Sequence, residues 1–128
     1  MPSSRKGSSQ EDRLKIGREY EELAAQFFSD RNYTILQRNY HAGHKEIDLI
    51  VQKGNVVVFV EVKSAKSQSM GHPAERVTKE KIANLTRAAQ QYLIENKITD
   101  ADLRFDVVTF LGGKIEHYPG AFAADERD

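Results

Sequence analysis

Three residues near the middle of the chain have the types and spacing to do phosphoryl chemistry: Asp48, Glu61 and Lys63. Side chains alternate along a strand, so in Lys45-Glu-Ile-Asp-Leu-Ile50 the carboxylates of Glu46 and Asp48 share one face while Ile47 and Leu49 take the other. By the same rule Glu61 and Lys63 share a face, about 6–7 Å apart along the backbone. Lys53-Gly54-Asn55 has hairpin-turn chemistry, which sets Asp48, six residues before Gly54, across from Glu61, seven after it. Glu61 follows Val56-Val-Val-Phe-Val60, a run that reads as a strand buried on both faces. A carboxylate there needs a cationic partner. Two such carboxylates repel each other, and a divalent cation is their natural neutraliser. Oxygen ligands suit a hard cation, which polarises a phosphate and acidifies a bound water. An adjacent ammonium positions the attacking hydroxide and offsets charge building on phosphorus. The trio therefore suits metal-assisted phosphodiester hydrolysis. Taken singly, the residues have plainer readings: Asp48 on the solvent side of its strand, and Glu61 with Lys63 as a surface ion pair. Spacing alone leaves both readings open.

Further polar groups join by position. Stepping about 100° per residue from Tyr20, Ile16, Leu23, Ala24 and Phe27 fall within about 60° of it, and Glu21 lands near 100° beside Phe28. Glu21 thus borders the apolar stripe, as a flank residue or as a carboxylate leaning into a cleft. Lys79, Lys81 and Arg87, with Lys66 in the preceding loop, are candidates to contact backbone phosphates, or else form a solvated helix face. His41 and His44 flank a glycine without other ligands near in sequence, so zinc is not expected. Nucleophile-elbow, phosphate-loop and dinucleotide-binding patterns are missing.

The elements that must position these groups follow from periodicity. Helical spacing of apolar residues runs from about Glu11 to Arg31 and from about Thr78 to Asn96. Strand patterns cover 33–40, 46–52, 56–62, 103–111 and 114–118, with a glycine turn at Gly112-Gly113. The order helix, three strands, helix, two strands gives antiparallel hairpins and one crossover helix, which makes the strands it joins parallel. That is an α/β fold with a mixed sheet. Residues 64–75 read as a loop, and residues 1–10 have nothing to bury.

Composition narrows the classes of function. The 128 residues are 39% hydrophobic and 30% charged, enough for a single core and ordinary for a globular domain. There is no cysteine, which excludes disulfides, thiolate metal sites and cysteine nucleophiles and suits a cytoplasmic setting. No apolar run is long enough to span a bilayer, and the N-terminus lacks the apolar core of a secretory signal, so no membrane partner is expected. Nineteen basic and nineteen acidic residues balance, yet residues 1–18 and 61–90 each carry net +3 and residues 95–128 net −4. Two basic segments on one face would suit a polyanion; the plainer reading is a mixed solvated surface.

Lys45-Glu-Ile-Asp-Leu-Ile50 followed by Val58-Phe-Val-Glu-Val-Lys63 resembles the signature of the YraN-like bacterial proteins, G-E-I-D-L-I then V-F-V-E-V-K. Gly17-Arg18, Glu21 with Ala24, Asn39, Lys81 and Arg104-Phe-Asp-Val-Val108 support the match, which covers about residues 13–118. That family is similar to the PD-(D/E)xK nucleases and, among them, to archaeal Holliday-junction resolvases. The resemblance implies a restriction-endonuclease-like three-layer core, with a mixed sheet of about five strands flanked by helices. The domain spans 13–118, between a mobile tail at 1–12 and a loose one at 119–128. It implies an endonuclease dependent on Mg²⁺ or Mn²⁺; the expected substrate is DNA, branched or single-strand-containing, with RNA left open because chemistry at the phosphorus does not need the 2′-OH. Asp48 and Glu61 with the Val62 carbonyl are the implied ligands, Lys63 positions the nucleophile, and Glu21 is an outer or third ligand. A homodimer is expected by analogy, since cutting two strands together takes two sites. The alternative is a nuclease fold kept as a nucleic-acid or protein adaptor without turnover. Four positions depart from the family: Lys45 replaces its usual Gly, Tyr20 the Gly before the helix glutamate, Ile47 the superfamily's proline, and Ala65 a frequent Arg.

Overall fold

The computed structural model describes residues 10–65 and 77–124. Two helices and five strands follow in the order α1 (Gln10–Asp30), β1 (Thr34–Ala42), β2 (Lys45–Lys53), β3 (Val56–Ala65), α2 (Lys79–Glu95), β4 (Asp102–Leu111) and β5 (Lys114–Phe122). The sheet order is β1-β2-β3-β4-β5. Neighbouring strands are antiparallel except β3 and β4, which pair in parallel across the α2 crossover, as the connection lengths predict. Among the described residues no helix is long and apolar enough to cross a membrane.

Strand β3 is the centre of a three-layer sandwich. Val58 and Val60 belong to the core beneath α1, with Ala24, Ala25 and Phe28. Val57 and Phe59 belong to the core beneath α2, with Leu85, Ala88, Ala89 and Tyr92. The continuous apolar run therefore serves two cores at once. Alternation continues past Val60 and directs Glu61 and Lys63 to the α2 side.

Helix α1 packs through part of the stripe that periodicity selects, joined by Ala25. Ile16 and Leu23 are 45% and 54% exposed, while Ala24, Ala25 and Phe28 are buried. The small alanines let the helix lie close on the sheet. Glu21 stands one turn before Ala24 and Ala25 and is half-buried, at the border of the buried stripe as the helical arithmetic places it.

Alternation along the β1–β2 hairpin also departs from expectation. Leu49 belongs to the core beneath α1, but Ile47, two residues away, belongs to the core beneath α2. The same slip occurs opposite, in β1. Arg38 pairs with Glu22 of α1, whereas Tyr40 bonds Glu95 and packs on Tyr92 of α2. Both strands change face at Asn39 and Asp48, and the cause is Asn39, whose φ of 52° lies in the left-handed region that Asn tolerates better than most residues. Asp48 is thereby placed where the two faces meet.

Two boundaries move. Helix α1 begins at Gln10, inside the stretch 1–12 expected as a tail, the rest of which lies outside the described residues or within the helix. Strand β5 continues to Phe122, past the boundary expected at 118. Proline is tolerated there because β5 is an edge strand and Pro119 falls in an irregularity of the β4–β5 register. Phe122 then stacks on Phe105, and the Gly120 N–H donates to Asp106. The loop expected over 64–75 lies outside the described residues apart from Ser64 and Ala65, which close β3.

Asp106 organises this edge. It is fully buried, accepts both a bidentate pair of bonds from Arg104 and the Gly120 N–H, and meets His117 Nε2 at 2.6 Å. Burial alone raises its pKa, but the bonds from His117, Arg104 and Gly120 outweigh burial and hold it below the usual carboxylate value.

Candidate metal site at the sheet rim

The hairpin ladder between β2 and β3 runs out to Leu49–Val60. The next pair in that register is Asp48 with Glu61, as counting from Gly54 predicts. Backbone pairing gives way there, and Asp48 Oδ2 accepts the Val62 N–H at 2.8 Å. This bond anchors one carboxylate oxygen to β3 and leaves Oδ1 for other partners.

Asp48 stands among three other carboxylates. Its oxygens and those of Glu21 and Glu46 supply one atom each that lie within 4.8 Å of one another. Burial, then the charge of Glu61, then those of Glu21 and Glu46, push its pKa up to about 7 against the relief of the Val62 N–H. Glu21 is also raised, by burial and by Glu46, although the Asn39 side chain bonds it and Arg18 lies near. Asn39 thus does two things: its backbone turns the hairpin and its side chain holds Glu21.

Glu61 is stabilised differently. Its side chain is only 11% exposed, with Lys81 Nζ at 3.4 Å and Lys63 Nζ at 3.9 Å from Oε2. Two ammoniums answer the cost of burying this charge. Lys81 reaches it because Thr78 caps α2, its hydroxyl accepting the Lys81 N–H at 3.0 Å, which fixes the first turn of the helix over the end of β3.

The structure brings together Asp48, Glu61, Lys63, Glu21 and Lys81 from two strands and two helices. Val62 sits between them, its N–H committed to Asp48. Lys79 and Arg87 are exposed and stand about 160° and 120° around the helix from Lys81, away from the cluster. Lys66 lies outside the described residues. Two residues join the site that sequence reasoning did not assign to it. Glu46 had a usable signal, its place two residues before Asp48 on the same face. Asn39 had none in the periodicity, since a left-handed residue inside a strand leaves no hydrophobic trace.

Two helices on a mixed five-stranded sheet, with carboxylates gathered at one rim, define a three-layer α/β domain whose rim is built for charge. The chain belongs to the uncharacterised protein family UPF0102, the YraN-like family, whose model matches residues 20–110. That span contains Glu21, Asn39, Glu46, Asp48, Glu61, Lys63 and Lys81. The chain is 36% identical over 114 residues to the UPF0102 protein of Sulfurihydrogenibium sp. (strain YO3AOP1), covering 89% of this chain and 99% of that one. It is 45% identical over 98 residues to that of Chloroherpeton thalassium, covering 77% and 76%. A third relative, from Syntrophomonas wolfei, is 43% identical over 106 residues, covering 80% and 92%.

Proposed function

We propose that the protein is a nuclease that hydrolyses phosphodiester bonds, those of DNA above all and branched DNA in particular, with a bound Mg²⁺ or Mn²⁺. The observation that carries this reading is the meeting of Asp48, Glu21 and Glu46 at one point, with the Glu61–Lys63 pair beside them. Mutually repelling carboxylates, two of them half-buried and Glu46 exposed, serve no purpose in simple binding of a polyanion, whereas a cation makes them favourable. The donor set fits a hard cation: every side-chain donor is oxygen. Ligands held at about 2.1 Å on opposite sides of one ion are about 4.2 Å apart, a span that side-chain rotation reaches from the observed cluster. When bound, the ion polarises the phosphate and acidifies a water.

Asp48 and Glu61 hold that ion, joined by the Val62 carbonyl, with Glu21 and Glu46 as outer or further ligands. Lys63 orients the attacking water and offsets the charge that builds on the phosphate oxygens. Lys66, Lys79 and Arg87 engage the strand through its phosphates, Lys79 and Arg87 away from the chemistry. A homodimer supplies the second site needed to cut two strands together.

The test is cleavage of branched, single-stranded and duplex DNA with Mg²⁺ or Mn²⁺, comparing wild type with Asp48→Ala and Lys63→Ala. Wild type is expected to cleave, and each variant to lose about a hundredfold or more. Equal trace activity in all three overturns the reading. A nuclease fold retained only as an adaptor predicts instead no cation uptake and a nucleic-acid affinity unchanged by Glu61→Gln.

A further inference from the structure

Beside the carboxylates lies a hollow of about 240 Å³ whose lining includes His44, Lys45, Lys81 and Asn84, with Glu46 and Asp48 on its wall. It is smaller than the usual small-molecule site of about 300–1,000 Å³ and, apart from Leu85 and the two carboxylates, is lined by groups that donate to anions. The chemistry described above leaves Lys45, His44 and Asn84 without a task. Lys81 and Asn84, three residues apart, share one face of α2 toward this hollow.

Lys81 has a second partner in competition with any ligand. Its ammonium lies nearer Glu61 than that of Lys63 does, yet its side chain is the more exposed of the two, at 44% against 29%. A divalent ion on Glu61 takes the charge that now holds Lys81, and repels it. The freed ammonium has the hollow at hand.

We propose that this hollow is a phosphate subsite, filled by a phosphate group of a nucleic-acid strand, and that its principal donor, Lys81, is released from Glu61 when a divalent cation takes that carboxylate. The inference rests on the reading of Glu61 as a cation ligand. In the cation-free protein Lys81 is the counter-ion of Glu61, and the hollow presents carboxylates that turn a phosphate away. In the loaded protein Lys81, Lys45 and the Asn84 amide face the anion together. Cation and phosphate then each strengthen binding of the other by the same factor.

The full chain is titrated with Mg²⁺ alone, then with inorganic phosphate in the absence and presence of saturating Mg²⁺. Calorimetry and amide NMR shifts give the affinities, and a protein-free titration corrects for magnesium–phosphate pairing. Wild type is expected to bind phosphate about tenfold tighter with Mg²⁺ than without. Lys81→Met is expected to bind Mg²⁺ alone more tightly than wild type, because the competing ammonium is gone, and to lose the coupling; Lys81→Arg keeps it. If wild type binds Mg²⁺ but Lys81→Met leaves both Mg²⁺ affinity and coupling unchanged, this inference is overturned and the nuclease reading stands. If wild type binds no Mg²⁺, both fall.

Discussion

Replacing Asp48 with Asn should make the metal-free protein more stable, not less. In the folded chain the Asp48 pKa stands at about 7 against an ordinary 3.8. At about 1.4 kcal/mol per pH unit that difference corresponds to about 4 kcal/mol against the ionised form, an upper bound for a half-buried group able to relax. Between the two values the folded state binds a proton that the unfolded state has released, so stability falls as pH rises from about 4 to about 7 and the full penalty applies above that. Asn cannot ionise, keeps an oxygen to accept the Val62 N–H, and is free of the penalty. Urea unfolding in a chelator, from pH 5 to 8.5, reads this directly. Asp48→Asn is expected to be about 2–4 kcal/mol more stable than wild type at pH 8, with the gap closing toward pH 5. Added Mg²⁺ should narrow the gap at pH 8 by stabilising wild type alone. A variant less stable than wild type at pH 8, or a gap independent of pH, refutes the account of an Asp48 charge opposed first by burial and then by the neighbouring carboxylates.

Other consequences are as specific. Glu46→Gln should weaken Mn²⁺ binding several-fold while also raising metal-free stability, both measurable on one sample by calorimetry and thermal unfolding. Asp106→Asn should cost about 3–5 kcal/mol at pH 7, because it leaves the Arg104 charge without its buried partner. Since the folded pKa of Asp106 is lowered, its contribution is complete above the ordinary carboxylate range and is lost as pH falls through the folded value, so the difference between variant and wild type should shrink in strong acid. Asn39→Gly should fold with β1 intact yet weaken cation affinity through the lost bond to Glu21, whereas Asn39→Ala should cost about 1 kcal/mol more in stability for its left-handed backbone.

Much of this architecture was legible before any coordinates. The apolar run at Val56–Val60 has strand chemistry and too little polarity for either face to meet water, which marks it as central. The Lys53–Asn55 turn fixes the hairpin register, and register puts Asp48 opposite Glu61. The long crossover makes β3 and β4 parallel, and helical spacing of apolar residues from about Thr78 announces α2. What escaped has physical reasons. Along helix α1 periodicity groups Ile16 and Leu23 with Ala24 and Phe27, and cannot say that the side carrying Ala24, Ala25 and Phe28 approaches the sheet while Ile16 and Leu23 stay outside. The change of face at Asn39 and Asp48 is a backbone event that hydrophobic patterning does not record. Pro119 signals the end of a strand, but at a sheet edge the missing N–H costs nothing. Lys81 was visible as a basic residue on a helix, while its pairing with Glu61 depends on how that helix lies over the strand, which only the tertiary structure supplies.

The central claim, a divalent cation gripped by Asp48 and Glu61, is tested most directly by anomalous scattering from a crystal grown in Mn²⁺. The account predicts a single strong peak at the rim, with oxygens of both carboxylates within coordination distance and Lys63 beside it, and no peak in Asp48→Asn. A rim without a peak, or an ion held by Glu21 and Glu46 with residues 48 and 61 uninvolved, contradicts it.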